Sequence, residues 1–336
     1  MANLRAGLIG LGMMGRHHAR VLGSLEGVDL VAVADPGGDQ FGVANGRPLK
    51  SSIDELIEVG IDYCMVAVPT RFHEEVAMRL AEAGIHALIE KPLSQDPPSA
   101  KRIADEFESR GLIGGVGHIE RYNPALQQAR ARIENGDLGE IYQVATRRQG
   151  PFPGRIADVG VVKDLGTHDI DLTAWVTQQN YVSVAAQTAH KSGRDHEDLV
   201  AVTGYLSHGT VANHLVNWLS PLKERTTVIT GEKGTFVADT LTADLTFFGN
   251  GSVATTWAEI ARFRGVSEGD VIRFAFPKTE PLLVEHESFR DTILGRRAEI
   301  VTMRQGLATV QVAEACIESA RTGRAVELNE QTERTD

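Results

Sequence analysis

The sequence predicts an α/β protein in two parts: a parallel sheet wrapped by helices, then an α+β part built on an open, mostly antiparallel sheet. Three features carry that expectation. Short apolar runs alternate with helical stretches over the first 120 residues, which calls for parallel strands joined by right-handed crossovers. From about Glu140, longer segments that alternate apolar with polar residues take over. A glycine cluster stands at the first strand-to-helix junction.

In chain order, Arg5–Ile9, Leu30–Ala34, Tyr63–Val68, Ala87–Ile89 and Ile113–Val116 read as buried strands. Between them Met14–Leu25, Ser52–Val59, His73–Ala83 and Ser99–Arg110 read as helices. Further on, Ile141–Arg148, Val182–His190, Leu199–Leu206, Val211–Trp218, Thr226–Thr230 and Thr235–Asp239 read as strands. Ser207-His-Gly209 and Gly231-Glu-Lys-Gly234 are tight-turn signals among them. Helices are expected at Asp164–Val176 and Met303–Arg321. The division falls near Glu120, giving domains 1–120 and 121–336, with a loose tail at Thr332–Asp336.

The 336 residues suffice for two cores, and the formal net charge of −11 argues against a nucleic-acid backbone as partner. An anionic ligand would have to meet a local basic cluster. Cys64 and Cys316 form no metal-binding or disulfide pattern and fit a reducing compartment. The N-terminal region does not read as a signal peptide, and no run of eighteen apolar residues offers a membrane span. The sequence therefore reads as cytoplasmic, without a membrane partner.

Gly10-Leu-Gly12-Met-Met-Gly15 lies between a predicted strand and a predicted helix, the setting a dinucleotide fingerprint requires. Gly10 permits the turn, Gly12 lets the backbone approach a pyrophosphate, and Gly15 lets helix and strand pack closely. The helix N-terminus faces the phosphates. Asp35, twenty residues on, ends the second strand, where a carboxylate accepts from a ribose 2′-hydroxyl and repels a 2′-phosphate. The first part is thus expected to be a Rossmann-type domain that binds NAD rather than NADP.

Asp164 and His168 are four residues apart, so on a helix the carboxylate can orient the imidazole. Such a pair is also common on solvated helix faces. Lys91 follows the apolar run His86–Ile89 and precedes Pro92, which places it at the carboxyl end of a parallel strand, where open α/β sheets bind ligands. Oxidation of an alcohol needs a hydride acceptor and a group that takes the hydroxyl proton, and these residues supply the second need. Either His168 or Lys91 can be the base. His17 and His18 read as packing or cleft-rim residues, and no spacing resembles a metal site.

Gly10-x-Gly-x-x-Gly15, Glu90-Lys91-Pro92 and Asp164-x-x-x-His168 with Asp169 and Asp171 resemble the Gfo/Idh/MocA oxidoreductases over nearly the whole chain. The resemblance implies Lys91, Asp164 and His168 as the catalytic set. It implies NAD contacts from Gly10, Gly12, Met13, Met14, Gly15, Asp35, Pro69, Thr70, His73, Glu90 and Lys91. It also implies a cis peptide before Pro92, and a second domain whose open sheet serves substrate binding and assembly into a homodimer or homotetramer.

A finer resemblance rests on Gly117-His-Ile-Glu-Arg-Tyr-Asn-Pro124, Arg147-Arg-Gln-Gly-Pro-Phe-Pro153 and Asp158-Val-Gly-Val-Val-Lys-Asp-Leu165. These stretches are similar to the UDP-N-acetylglucosamine 3-dehydrogenase subgroup and imply a sugar or nucleotide-sugar substrate. Arg121, Tyr122, Asn123, Arg147 and Arg155, with Lys91, Asp164 and His168, are then the candidate substrate contacts. Arg148, flanking the same Pro/Gly-rich turn as Arg147 and Arg155, is a further cation for a substrate diphosphate. Two plainer readings stand beside this one. The arginines can simply alternate on a strand, and Asn123-Pro124 can simply start a helix. An inositol or free-sugar dehydrogenase, or a ketosugar reductase, fits the same residues. A non-catalytic NAD-binding regulator would need the glycine loop but not Lys91, Asp164 and His168 together.

Overall fold

Residues 3–153, 159–251 and 269–328 are described in a computed structural model. The chain forms two compact units, Met1–Ile119 with Thr279–Glu314, and Glu120–Lys278 with Ala315–Asp336. The first unit is therefore discontinuous, and its second segment is a return that a single division near Glu120 does not contain.

The first unit holds β1 (Leu4–Ile9), β2 (Val28–Ala34), β3 (Leu49–Lys50), β4 (Tyr63–Val66), β5 (His86–Glu90) and β6 (Gly114–Gly117). They form one sheet in the order β3-β2-β1-β4-β5-β6, with every pair parallel. Helices α1 (Met13–Leu22), α2 (Ile53–Ile57), α3 (His73–Glu82) and α4 (Pro97–Ser109) alternate with the strands. Both faces of the sheet are covered, as strict alternation along the strands shows. Tyr63 and Met65 enter one apolar cluster with Leu8, Leu88 and Phe289. Cys64 and Val66 enter another with Ile9, Ile89, Phe107 and Leu307. Both cysteines are buried thiols.

Two predicted boundaries contract for local reasons. Helix α1 stops at Leu22 because Gly23 caps it. Strand β4 stops at Val66 because the chain bends past Gly10 at Ala67, whose carbonyl carbon lies 2.5 Å from where a Cβ on Gly10 would stand.

The second unit holds α5 (Pro124–Glu134), α6 (Thr167–Thr177) and nine strands. These are β7 (Ile141–Pro151), β8 (Tyr181–Ala189), β9 (Leu199–Leu206), β10 (Val211–Asn217), β11 (Leu219–Gly231), β12 (Gly234–Asp239), β13 (Asp244–Gly249), β14 (Val271–Arg273) and β15 (Val326–Glu327). Their order is β14-β13-β12-β11-β7-β10-β9-β8-β15, antiparallel except for the parallel pair β7 and β10. One face carries Val144, Ile229, Phe236 and Leu245 against Leu126 of α5 and Leu172 and Val176 of α6. The other face is open: Tyr142 and Tyr205 are exposed there, and a groove is lined by Ala145, Arg147, Thr203, Asn213 and Leu215.

Residues 279–314 bring α7 (Pro281–Ile293) and the first half of α8 (Met303–Thr322) back to the first unit. Glycines in β6 make room for them: a Cβ on Gly115 would stand 3.1 Å from the Phe289 ring, and one on Gly114 would stand 2.5 Å from Met303. No helix among the described residues is long and apolar enough to cross a membrane.

Candidate active site

At the end of β1 the backbone of Gly10 takes φ +94°, a conformation that favours glycine. A Cβ on Gly15 would stand 2.0 Å from the Gly10 carbonyl oxygen, so α1 can approach β1 this closely only without a side chain there. At Gly12 a Cβ would meet nothing within 4 Å, which leaves the backbone open to a ligand. Helix α1 has no side-chain cap at Gly12 and no acid in its first turn. Its orphan N–H groups and positive dipole end therefore suit a phosphate. Met13 is exposed and Met14 half-buried on that first turn.

Asp35 follows β2 and leans toward this loop. Its Oδ2 accepts from the Leu11 N–H at 2.8 Å and its Oδ1 from the Gly37 N–H at 2.7 Å. A ribose hydroxyl would find a carboxylate held in place, with lone pairs to spare. These features fit a dinucleotide. Pro69 is exposed and Thr70 half-buried in the loop after β4.

His73 holds loops beside the cradle. Its ring is buried, with Nδ1 2.9 Å from the Pro92 carbonyl and Nε2 3.0 Å from the Val68 carbonyl. Its ring ties two loops together, and burial pulls its pKa down.

Lys91 emerges half-buried directly after β5, and the Lys91–Pro92 bond is cis, as the resemblance implies. Its backbone N–H donates to Glu90 Oε2 at 3.0 Å, and His18 Nε2 lies 2.9 Å from Glu90 Oε1. Burial disfavours the Glu90 charge, but the His18 hydrogen bond and nearby Lys91 outweigh it and hold the pKa below the usual carboxylate range.

In the second unit Asp164 and His168 are both buried. The predicted helix over Asp164–Val176 is in fact a π-turn, Val162–Gly166, followed by α6, so the pair straddles the junction. Such wide turns recur at functional sites because they re-aim side chains.

The candidate substrate arginines separate. Arg148 is buried, with Nε 3.0 Å from Asp169 Oδ1 and Nη1 2.8 Å from Glu120 Oε1, and Arg225 reaches the same Glu120 oxygen at 3.2 Å. Burial opposes the charge on Arg148, but Asp169 and Glu120 overcome it and raise its pKa. For Glu120, Arg148 overcomes burial and lowers the pKa. Arg147, the adjacent residue on β7, points to the open face by the two-residue period of a strand. The structure thus does not bring it together with Asp164 and His168, which lie by the helix-covered face.

Arg121 is buried, and its fork grips Asp171 of α6 at 2.6 and 2.8 Å. Asn123 caps α5 through the Ala125 N–H and donates to the Thr240 carbonyl, so it does start a helix, and Tyr122 is buried beside it. Arg155 lies outside the described residues. The sequence reading missed the Glu120–Arg148–Asp169 cluster and His18 as a polar anchor. No group of three or more potential ligands for a metal ion occurs among the described residues.

A phosphate-ready glycine turn with a ribose-directed carboxylate, and buried acid–base side chains elsewhere, define a dinucleotide-binding protein of the oxidoreductase class. The chain belongs to the Gfo/Idh/MocA family. Residues 4–118 match its oxidoreductase, NAD-binding Rossmann-fold domain, and residues 126–237 match the family's C-terminal domain. The first unit is an NAD-binding domain. The chain is similar to UDP-N-acetylglucosamine 3-dehydrogenase of Acidithiobacillus ferrooxidans, 32% identical over 63% of this chain and 66% of that one. It is also similar to scyllo-inositol 2-dehydrogenase (NAD(+)) of Bacillus subtilis, 30% identical over 54% of this chain and 56% of that one. A solved structure of the Acidithiobacillus ferrooxidans enzyme superposes with a TM-score of 0.83 at 26% identity, covering 96% of this chain and 99% of that one.

Proposed function

We propose that the protein is an NAD-dependent dehydrogenase that oxidises a ring hydroxyl of a sugar, with C3 of UDP-N-acetylglucosamine as the substrate position. The observation that carries this reading is the lysine directly after β5, at the carboxyl end of a parallel strand beside an NAD cradle. NAD supplies the hydride acceptor. His168 takes the hydroxyl proton, Asp164 steadies the imidazolium, and Lys91 donates to the developing alkoxide. The two similar proteins named for sugar and inositol oxidation support this chemistry, and the first of them supports the nucleotide sugar. The inositol relative favours a second reading, a polyol dehydrogenase. Self-association into a dimer or tetramer and a cytoplasmic setting complete the proposal, supported by the open sheet face and the buried thiols.

The test is NADH formation from NAD⁺ with UDP-N-acetylglucosamine, N-acetylglucosamine, glucose or myo-inositol, in the presence of a carbonyl trap. NADH with the UDP sugar alone is the expected result. NADH with inositol alone replaces the substrate, and no NADH with any of them despite NAD binding overturns the reading.

Asp35 carries the cofactor preference. Asp35→Asn keeps an acceptor for the loop but removes the charge, and the NAD-over-NADP ratio of kcat/KM is expected to fall about 10–100-fold. An unchanged ratio would mean that another group discriminates.

A further inference from the structure

His18 sits in the second turn of α1 with no exposed surface, and its ring joins three segments distant in sequence. Its Nε2 is 2.9 Å from Glu90 Oε1, and its Nδ1 is 2.8 Å from His286 Nε2 on α7. Because the Glu90 carboxylate can only accept, His18 Nε2 must donate to it. Its other nitrogen, Nδ1, shares a hydrogen bond with His286 Nε2, so both ring nitrogens of His18 are engaged. The second Glu90 oxygen is occupied by the backbone N–H of Lys91. An apolar residue would pack α1 against β5 equally well, but it would leave the Glu90 carboxylate, only 12% exposed, without this donor.

We propose that His18 is a positioning residue for Lys91. Through Glu90 it pins the backbone N–H of Lys91 and so fixes where the lysine side chain departs from the strand. The proposal rests on the role given to Lys91 above. A displacement of about 1 Å in such a group is enough to slow a reaction strongly.

Two measurements test it. In NAD-bound protein, residue-resolved hydrogen exchange at the Lys91 amide should speed up about tenfold or more in His18→Leu, with amides in β1 unchanged. His18→Gln, which keeps an N–H toward Glu90, should stay within about twofold of the native rate. With whichever sugar is turned over, His18→Leu should lower kcat about tenfold in the native chain but less than about twofold in a Lys91→Ala chain. Should the leucine variant not fold, His18→Met, which also lacks an N–H toward Glu90, replaces it in both measurements with the same expectations.

Unchanged exchange at Lys91 overturns the proposal whatever the substrate is. Equal losses of kcat with and without Lys91 overturn it too, since they mark general damage. If no sugar is oxidised, the functional reading fails while the exchange result still decides whether His18 holds Lys91.

Discussion

His168→Ala is expected to slow hydride transfer by about 10²–10⁴-fold while leaving NAD binding within about twofold of native, the usual contribution of a general base. The residue is the second of α6, just past the π-turn, and is buried, so its loss is not the loss of a surface charge. The glycine cradle and Asp35 belong to the other unit, which is why cofactor affinity should not follow. Single-turnover NADH formation checks the first half and a titration of NAD the second. Asp164→Asn should move in the same direction by a smaller factor, because it unsteadies the imidazolium without removing it. Normal turnover in the alanine variant would assign the proton to Lys91, the alternative that the sequence leaves open.

The second large effect concerns stability. Arg148→Met should cost about 3–5 kcal/mol, because it leaves the carboxylates of Glu120 and Asp169 buried with their main partner gone. At about 2–4 °C per kcal/mol for a unit of this size, the melting temperature should fall by roughly 6–20 °C. Asp169→Asn in the same chain should restore part of the loss. The pH dependence has a definite sign. Arg148 holds the Glu120 pKa below its unfolded value, so that stabilisation is present above the unfolded carboxylate range. It is lost as pH falls through the folded value. The gap between native and variant should therefore narrow in acid. Scanning calorimetry at neutral and acidic pH reads both effects, and a loss under about 1 kcal/mol at neutral pH would show that the cluster contributes little.

Much of the first sheet was legible because strands covered on both faces are uninterrupted apolar runs, as Leu30–Ala34 and Tyr63–Val66 are. The glycine turn was legible because its needs are steric and local. Helix α7 was not, since two residues of its buried face, Glu285 and His286, are ionisable and break the apolar period. Strand β3 is two residues long, too short to show any period. Arginines were the hardest to place. Arg121 and Arg148 look ligand-directed in sequence, because their carboxylate partners stand 50, 28 and 21 residues away. Only the folded chain shows those charges already matched. Arg147 and Arg148 differ by one position and face opposite ways, which no composition argument could divide.

The return of residues 279–314 to the first unit sets an order of events during synthesis. Phe289, Val301, Met303 and Leu307 complete apolar clusters begun by residues near the N-terminus. A nascent chain leaving the ribosome thus carries the cofactor-binding half unfinished while the whole stretch from Glu120 to Lys278 is translated. At about 5–20 residues per second that interval lasts on the order of ten seconds or more. Throughout it, apolar surface on an otherwise formed parallel sheet stays open to chaperones and to neighbouring nascent chains.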